Sequence, residues 1–314
     1  MAKRVVAIDI GVDVGKSELV CAHHGERSLE TIANEPAAIR RWLRGLPEGA
    51  CLAVEATNTF HMKLVELAHQ RGLAVYLVNG YQLTNYRKSV GTRAKTDACD
   101  ARLLARFLHH EKEQLRRWTP PSKAYRRVQT LLHRRARLVQ AKSALQQSFA
   151  GLGELQSSAR AVVRRMDHLE QLIHKRLRQA AREAGWWPDV RRVQQIEGIG
   201  PINAIALVMS FHRATFRSSD SFVAFLGLDV RPRDSGTQRG ERKLTKQGPA
   251  ELRRLLYNAA MAARRHSPHW HALYEHHRSK GLATTQALVI LARKLARVAF
   301  ALMRNQSQYQ PVGT

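Results

Sequence analysis

Short apolar runs alternate with longer amphipathic stretches over the first 110 or so residues of the chain. β-Branched and apolar runs at residues 5–14, 19–22, 28–32, 51–54 and 73–78 predict β-strands. Apolar positions at helical spacing in residues 36–43 and 62–70 predict helices between them. Strands that alternate with helices are typical of a sheet covered by helices, so we expect an α/β domain over residues 1–118.

The pattern changes to that of long helices between residues 122 and 182. Leucines and valines recur every three to seven residues there, which predicts a helical hairpin or coiled-coil arm over residues 119–187. The rest of the chain, residues 188–314, has mostly helical periodicity with one polar interruption at 229–248. We therefore expect a mainly α-helical C-terminal domain.

Charge identifies the class of partner. The chain has 314 residues, with 52 Lys+Arg against 25 Asp+Glu, and its net charge of +27 favours nucleic acid as the partner. The apolar stretch at 287–292 is broken by Arg293 and Lys294, so we expect no membrane partner. The three separated cysteines and the absence of a signal-peptide pattern favour a cytoplasmic, nucleoid-associated protein without disulfides.

The basic residues are concentrated in the predicted arm, where no acidic residue occurs between Glu113 and Glu154. A solvated helix face usually mixes both signs of charge, so this segment is predicted to lie along phosphates. An ordinary solvated basic helix is the alternative. The candidate phosphate contacts are Arg126, Arg127, Arg134 and Arg135.

Four acidic residues occupy positions suited to a metal site at the edge of a sheet. Asp13 follows the first strand, Glu55 ends the fourth, and Asp97 and Asp100 open a helix for which Thr96 is the predicted N-cap. Carboxylate oxygens suit Mg²⁺, with Mn²⁺ as the alternative ion, and such sites serve phosphoryl transfer. The alternative is that these are ordinary helix-terminal and loop acids, and Asp9 competes with Asp13 as the first acid. We expect no organic cofactor.

Two further segments carry candidate DNA contacts. Gly198 and Gly200 lie in an Ile-Glu-Gly-Ile-Gly sequence that resembles a helix-hairpin-helix turn, whose backbone N–H groups bind phosphate; an ordinary helix–helix turn is the alternative. Ser235 lies in an arginine-rich loop and is either a nucleophile or a turn residue. The basic residues around it are predicted phosphate contacts: Arg231, Arg233, Arg239, Arg242, Lys243 and Lys246.

These motifs in this order resemble the DEDD-type transposases of the insertion sequence 110 family, which includes the Piv-type DNA invertases. The matching segments are Gly-Val-Asp-Val-Gly-Lys at 11–16, Val-Glu-Ala-Thr at 54–57, Lys-Thr-Asp-Ala-Cys-Asp-Ala at 95–101, Ile-Glu-Gly-Ile-Gly at 196–200, Phe-Leu-Gly-Leu at 225–228 and Leu-Arg-Arg-Leu-Leu-Tyr at 252–257. The resemblance extends from about Val5 to Met303, nearly the whole chain.

The resemblance implies a RuvC-like (RNase H-type) N-terminal domain in which Asp13, Glu55, Asp97 and Asp100 bind Mg²⁺. It favours Asp13 over Asp9, because the family's first acid has a lysine three residues later, as Lys16 is here. It also implies that Ser235 attacks DNA to form a covalent phosphoserine intermediate. The implied partners are DNA of the element ends and target, a structured guide RNA, and further copies of the chain in a dimer or tetramer.

A transposase that excises and inserts its own mobile element is therefore the expected function. A Piv-like DNA invertase is the alternative within the same family. A RuvC-like nuclease would use metal-activated water and would need the acids but not Ser235. In a non-catalytic nucleic-acid-binding protein, the acids would be incidental.

Overall fold

A mixed five-stranded β-sheet forms the centre of the first of two units, residues 1–120. A computed structural model describes residues 8–56, 59–92, 94–231, 234–235, 238–240 and 242–311, with the backbone alone at 234, 235, 238 and 239. The strands are β1 (Asp9–Val14), β2 (Glu18–His23), β3 (Leu29–Ala33), β4 (Cys51–Glu55) and β5 (Ala74–Val78). They lie in the order β3-β2-β1-β4-β5.

The direction of pairing changes at β1. β1 runs antiparallel to β2 and parallel to β4, and β4 runs parallel to β5. In the register of the parallel pair Val12 lies opposite Val54, so Asp13 and Glu55 come one residue after this pair on adjacent strands. Carboxyl ends of parallel strands share one edge of a sheet, and this brings the two acids to the same place.

Helices cover both faces of the sheet: α1 (Pro36–Gly45), α2 (Met62–Gln70), α3 (Gly80–Ser89) and α4 (Asp97–Glu111), followed by a 3₁₀ turn at Lys112–Gln114. One face of the sheet packs against α1 and α2, and the other packs against α3 and α4. Gly11 of β1 permits an unusually close approach of α4, because a Cβ at this position would lie 2.1 Å from the carbonyl oxygen of Ala101.

The second unit, residues 121–314, is mainly helical. Its helices within the described residues are α5 (Lys123–Ser148), α6 (Gly153–Glu183), α7 (Trp187–Val193), α8 (Pro201–Phe211), α9 (Ser219–Phe225), α10 (Ala250–His266), α11 (Pro268–Ser279) and α12 (Thr284–Asn305). The helices α5 and α6 form an antiparallel hairpin. Val128 of α5 and Leu177 of α6 are buried in the same core as α8, α10 and α12. The base of the predicted arm thus shares a core with the residues predicted as the C-terminal domain.

The α/β character of the first part and the mainly helical character of the rest are confirmed. The sequence pattern does not predict α3, in which Leu83 alone is buried. It also does not predict the two small antiparallel ribbons in the polar interruption, where β6 (Val230–Arg231) pairs with β9 (Lys243–Leu244) and β7 (Asp234–Ser235) pairs with β8 (Gln238–Arg239). Two-residue strands are too short to show a period. Within the described residues, no helix combines the length and the apolarity needed to cross a membrane.

Candidate functional site

Three carboxylates of the first unit meet at one edge of the sheet. Carboxylate oxygens of Asp13, Glu55 and Asp100 all lie within 4.8 Å of one another. Asp13 and Glu55 come from the carboxyl ends of β1 and β4, and Asp100 comes from the first turn of α4. Oxygen ligands at this separation are a donor set that can hold a hard divalent cation.

The N-terminus of α4 is fixed by a cap. The Thr96 hydroxyl oxygen accepts a hydrogen bond from the Cys99 backbone N–H at 3.2 Å, so the predicted N-cap is confirmed. Asp97, the fourth predicted acid, is exposed and does not belong to the group within 4.8 Å. It is nevertheless close enough to Asp13 for its charge to act on that carboxyl group.

The electrostatics of the cluster favour a bound cation. Burial, followed by the charges of Asp97, Glu55 and Asp100, raises the pKa of Asp13 to about 6. Burial and the charge of Asp100 also raise the pKa of Glu55. Carboxylates gathered this closely cannot all ionise at low cost, so the cluster holds either a proton or a positive charge.

Arg87 of α3 provides a positive charge within the protein. Its guanidinium is hydrogen-bonded to Asp100, and the two side chains are only 12% and 9% exposed. The Nε atom of Arg87 is buried without a hydrogen-bond partner among the described residues. Sequence reasoning missed this residue because it missed α3, although the capping box of Asn79 and Gln82, in which the Gln82 N–H donates to Asn79 Oδ1 at 2.8 Å, was a usable signal.

Asp9 is involved in a different contact. Its carboxylate is buried and accepts a hydrogen bond from Lys112 Nζ at 2.9 Å. The same carboxylate lies 3.1 Å from His109 Nδ1. It begins β1 whereas Asp13 lies near the end of that strand, roughly 13 Å away at the usual rise per residue. The structure therefore places Asp13, and not Asp9, in the cluster with Glu55 and Asp100.

Part of the basic charge of α5 is balanced by acids of α6. Arg135 donates to Glu170 at 2.8 Å, and Lys142 donates to Asp167 and Glu170 at 2.7 Å each. Arg127 likewise pairs with Glu183, and Arg126, Arg127 and Arg134 are all exposed. The sequence interpretation considered the charges of one helix alone and did not include the acids of its partner. Arg135, at 15% exposure, holds the hairpin together.

The Gly198 turn joins α7 to α8 and packs closely on α10. Gly198 has φ +82°, and a Cβ there would lie 2.4 Å from the backbone of both Ala259 and Ala263. Only glycine fits this turn, for both reasons. Gly200 is the N-cap of α8, and contact of either glycine with phosphate stays a prediction.

Ser235 lies in the backbone ribbon of β7 and β8, opposite Gln238. Its side chain and that of Arg239 lie outside the described part, as does the whole of Arg233. In the β6–β9 ribbon Arg231 lies opposite Lys243 in the strand register. The Thr245 N–H donates a hydrogen bond to the Asp229 carbonyl at 3.0 Å, which joins the two ends of the 229–245 segment. The remaining predicted contacts, Arg242 and Lys246, are exposed.

Known families match most of the chain. A model described as Transposase, of the DEDD and IS110 type, matches residues 10–152, and one described as Transposase IS116/IS110/IS902 family matches residues 190–275.

Curated relatives agree with these matches. The chain is 27% identical to a probable family 20 transposase of Pseudomonas aeruginosa, over 96% of this chain and 98% of that protein. It is 26% identical to a pilin gene-inverting protein of Moraxella bovis, over 82% and 81% of the two chains. It is 33% identical to the transposase for insertion sequence element IS1111A of Coxiella burnetii, over 39% and 35%.

Proposed function

Because the chain belongs to the IS116/IS110/IS902 family of transposases, we propose that it is a DNA recombinase that excises and inserts a mobile element. It acts in the cytoplasm on DNA of the nucleoid. The observation that carries this proposal is the cluster of Asp13, Glu55 and Asp100 in a chain of net charge +27. A polyanion is the partner that such a charge attracts, and an acidic cluster in an otherwise basic protein is suited to a metal ion beside a phosphate.

The first unit is, in this proposal, a RuvC-like (RNase H-type) domain. Asp13, Glu55 and Asp100 hold Mg²⁺, or Mn²⁺, and Asp97 adds a fourth carboxylate from the same helix turn. Support comes from the donor chemistry, since all of these ligands are hard oxygen atoms, and from the raised pKa of Asp13. When bound, the ion acts as a Lewis acid and offsets negative charge on the reacting phosphate.

Ser235 is the proposed nucleophile. Its hydroxyl oxygen attacks the phosphorus of a DNA phosphodiester, an Oγ–P bond forms, and the bond from phosphorus to the leaving sugar oxygen breaks. The serine proton is lost and the leaving oxygen takes up a proton. A sugar hydroxyl then attacks the phosphoserine, which rejoins the strands and releases Ser235 unchanged. Each broken phosphate ester bond is replaced by a new one, so the number of ester bonds is unchanged and the exchange needs no other energy source.

The partners in this proposal are element-end and target DNA, a structured guide RNA, and further copies of the chain in a dimer or tetramer. Nucleic-acid phosphates contact exposed Arg126 and Arg134 on α5, and they contact the Gly198 turn through its backbone. The basic residues near Ser235 support the proposal, because guanidinium groups bind phosphate oxygens in a bidentate manner. Arg231, Arg242, Lys243 and Lys246 flank Ser235 in the sequence.

A DNA invertase is the second candidate. It is favoured by the pilin gene-inverting proteins of two Moraxella species, each of which aligns with 82% of this chain. Inversion and transposition use the same strand chemistry and differ in the arrangement of the DNA sites. Genomic DNA around the gene separates them: element boundaries support the transposase, and inverted repeats flanking a chromosomal segment support the invertase.

A cleavage reaction analysed on a denaturing protein gel tests the chemistry. The full chain is incubated with Mg²⁺, element-end DNA and the co-transcribed RNA, and the wild type is compared with Ser235→Ala, Asp100→Asn and Asp97→Ala. Ser157→Ala, which removes an exposed hydroxyl from α6, is the matched control. We expect a slower-migrating protein–DNA adduct for the wild type and the control, and none for the other variants.

The alternatives give different results on the same gel. Cut DNA without an adduct, still formed by Ser235→Ala but not by Asp100→Asn, means a metal-dependent nuclease and refutes the serine mechanism. Bound DNA without any cleavage by the wild type, over a range of Mg²⁺ and Mn²⁺ concentrations, supports a non-catalytic binding protein.

A further inference from the structure

A cavity of about 300 Å³ lies in the second unit, outside the acidic cluster and the Ser235 loop. Trp187, Pro188, Arg191, Arg192, Gln195 and Gln308 line it. This volume is at the lower end of the range of pockets that bind small organic groups. Gln195 directly precedes the turn that carries Gly198, so the cavity adjoins a segment predicted to contact phosphate.

The wall of the cavity combines an aromatic ring with positive charge. Among the lining residues Trp187 provides the ring and Arg191 is exposed. The guanidinium of Arg182, which does not line the cavity, lies 4.5 Å from the centroid of the Trp187 ring. Arg192 pairs with Asp189 through Nη1, while its Nε is buried without a hydrogen-bond partner among the described residues. Arg191 is therefore the lining cation that a phosphate in solution can reach.

The C-terminal segment after α12 forms one side of this wall and is held in place at two points. Gln306 takes a left-handed conformation, φ 53°, and its Nε2 donates to Asp189 Oδ1 at 3.2 Å. The Tyr309 N–H donates to Gln195 Oε1 at 3.1 Å, and the Tyr309 hydroxyl donates to Glu197 Oε2 at 2.6 Å. Gln308 lies between these two anchored residues and is therefore presented to the cavity by ordered chain.

We propose that this cavity binds one unpaired nucleobase, stacked on Trp187, with the adjacent phosphate on Arg191. The inference deepens the proposed function and rests on it for nucleic acid as the partner. Every base has a π face that stacks on an aromatic ring. The Gln308 amide and the Gln195 Nε2, whose Oε1 accepts from Tyr309, match the acceptors and donors of a base edge. A base inside a duplex has both faces covered, so the ligand is a loop, bulge, end or melted strand.

Fluorescence of a single-stranded oligonucleotide with one 2-aminopurine tests this binding mode with the full-length protein. Stacking on Trp187 quenches the 2-aminopurine in the wild type. Trp187→Leu removes the quenching and weakens binding about 5- to 140-fold, whereas Trp187→Phe retains most of both. Arg191→Gln, at an exposed position that does not disturb the core, weakens binding and reduces the salt slope of the affinity by about 1.

Arg217→Gln is the matched control, because it removes the same charge from an exposed position that does not line the cavity. We expect it to leave the quenching unchanged. RNA and DNA oligonucleotides of the same sequence are compared in parallel, and the one that binds with higher affinity shows whether the base belongs to RNA or to DNA. A fully paired duplex should bind Trp187→Leu as tightly as the wild type.

Three results would overturn the proposal. They are wild-type quenching in Trp187→Leu, equal effects of Arg191→Gln and Arg217→Gln on the affinity for the single strand, and an equal loss of affinity for duplex and single strand in Trp187→Leu. Failure of the proposed function gives a different outcome. A wild type that never forms the Ser235 adduct, yet quenches 2-aminopurine in a Trp187-dependent manner, refutes the recombinase and leaves the nucleobase site in place.

Discussion

Replacement of Gly11 by alanine tests whether the close approach of α4 to β1 builds the acidic cluster. The new Cβ would lie 2.1 Å from the Ala101 carbonyl oxygen and 2.3 Å from the Ala105 nitrogen, whereas ordinary contacts begin at 3.4 Å. Both atoms are backbone, so no side chain can rotate away and α4 must withdraw by roughly 1 Å, at a cost of about 3 kcal/mol. Asp100 moves with α4, while Asp13 and Glu55 stay on the sheet, so affinity for a divalent ion should fall as well.

Two measurements follow these effects. Urea unfolding in EDTA gives the free energy of unfolding, and calorimetric titration with Mn²⁺ gives the affinity. Gly45→Ala is the control, because nothing lies within 4 Å of a Cβ at that position and it ends α1. We expect it to be neutral or to stabilise the protein by up to about 1 kcal/mol. A Gly11→Ala protein with the stability and Mn²⁺ affinity of the wild type would refute this reasoning.

Three more predictions concern the same cluster. In Gly80→Ala the Cβ would lie 2.8 Å from Glu55 Oε1, and this flexible carboxylate would have to move. Mn²⁺ affinity in a calorimetric titration should therefore fall, while the free energy of unfolding changes by less than about 1 kcal/mol. An unchanged affinity would contradict this. Arg87→Gln leaves the buried Asp100 carboxylate without its cation. It should lower the free energy of unfolding by about 3 kcal/mol in EDTA and by less in saturating Mg²⁺, because the metal ion then balances the carboxylate. Equal losses in the two conditions would exclude charge compensation by Arg87. The pKa of Asp13 is about 6 in the folded protein against 3.8 for the unfolded group, so the folded state holds the extra proton and this carboxyl's contribution to stability without metal falls as the pH rises from 4 to 6. Asp13→Asn should abolish that part of the pH dependence in urea titrations, and metal binding to the wild type should weaken as the pH falls below 6, because protons then compete with the ion.

Patterns between near neighbours in the chain were predictable from the sequence. β-Branched and apolar runs predicted β1 and β4 and the acids at their ends, and the Thr96 cap predicted the start of α4 with Asp97 and Asp100 in its first turn. These signals are local, since an apolar run and an N-cap each depend on a few adjacent residues. The sequence by itself thus determined the α/β character of the first unit, the helical character of the second, and a short set of candidate acids for one edge of the sheet.

The partners of these residues depended on tertiary structure. The packing of α3 on the sheet brings Arg87 to Asp100, and the packing of α6 on α5 brings Glu170 to Arg135. Lys112 neutralises Asp9 although 103 positions separate them, which leaves Asp13 as the acid of the cluster. Charges act through space and not along the chain, so a sequence read in order reports which residues are charged, and only the packed structure decides which of those charges are balanced within the protein.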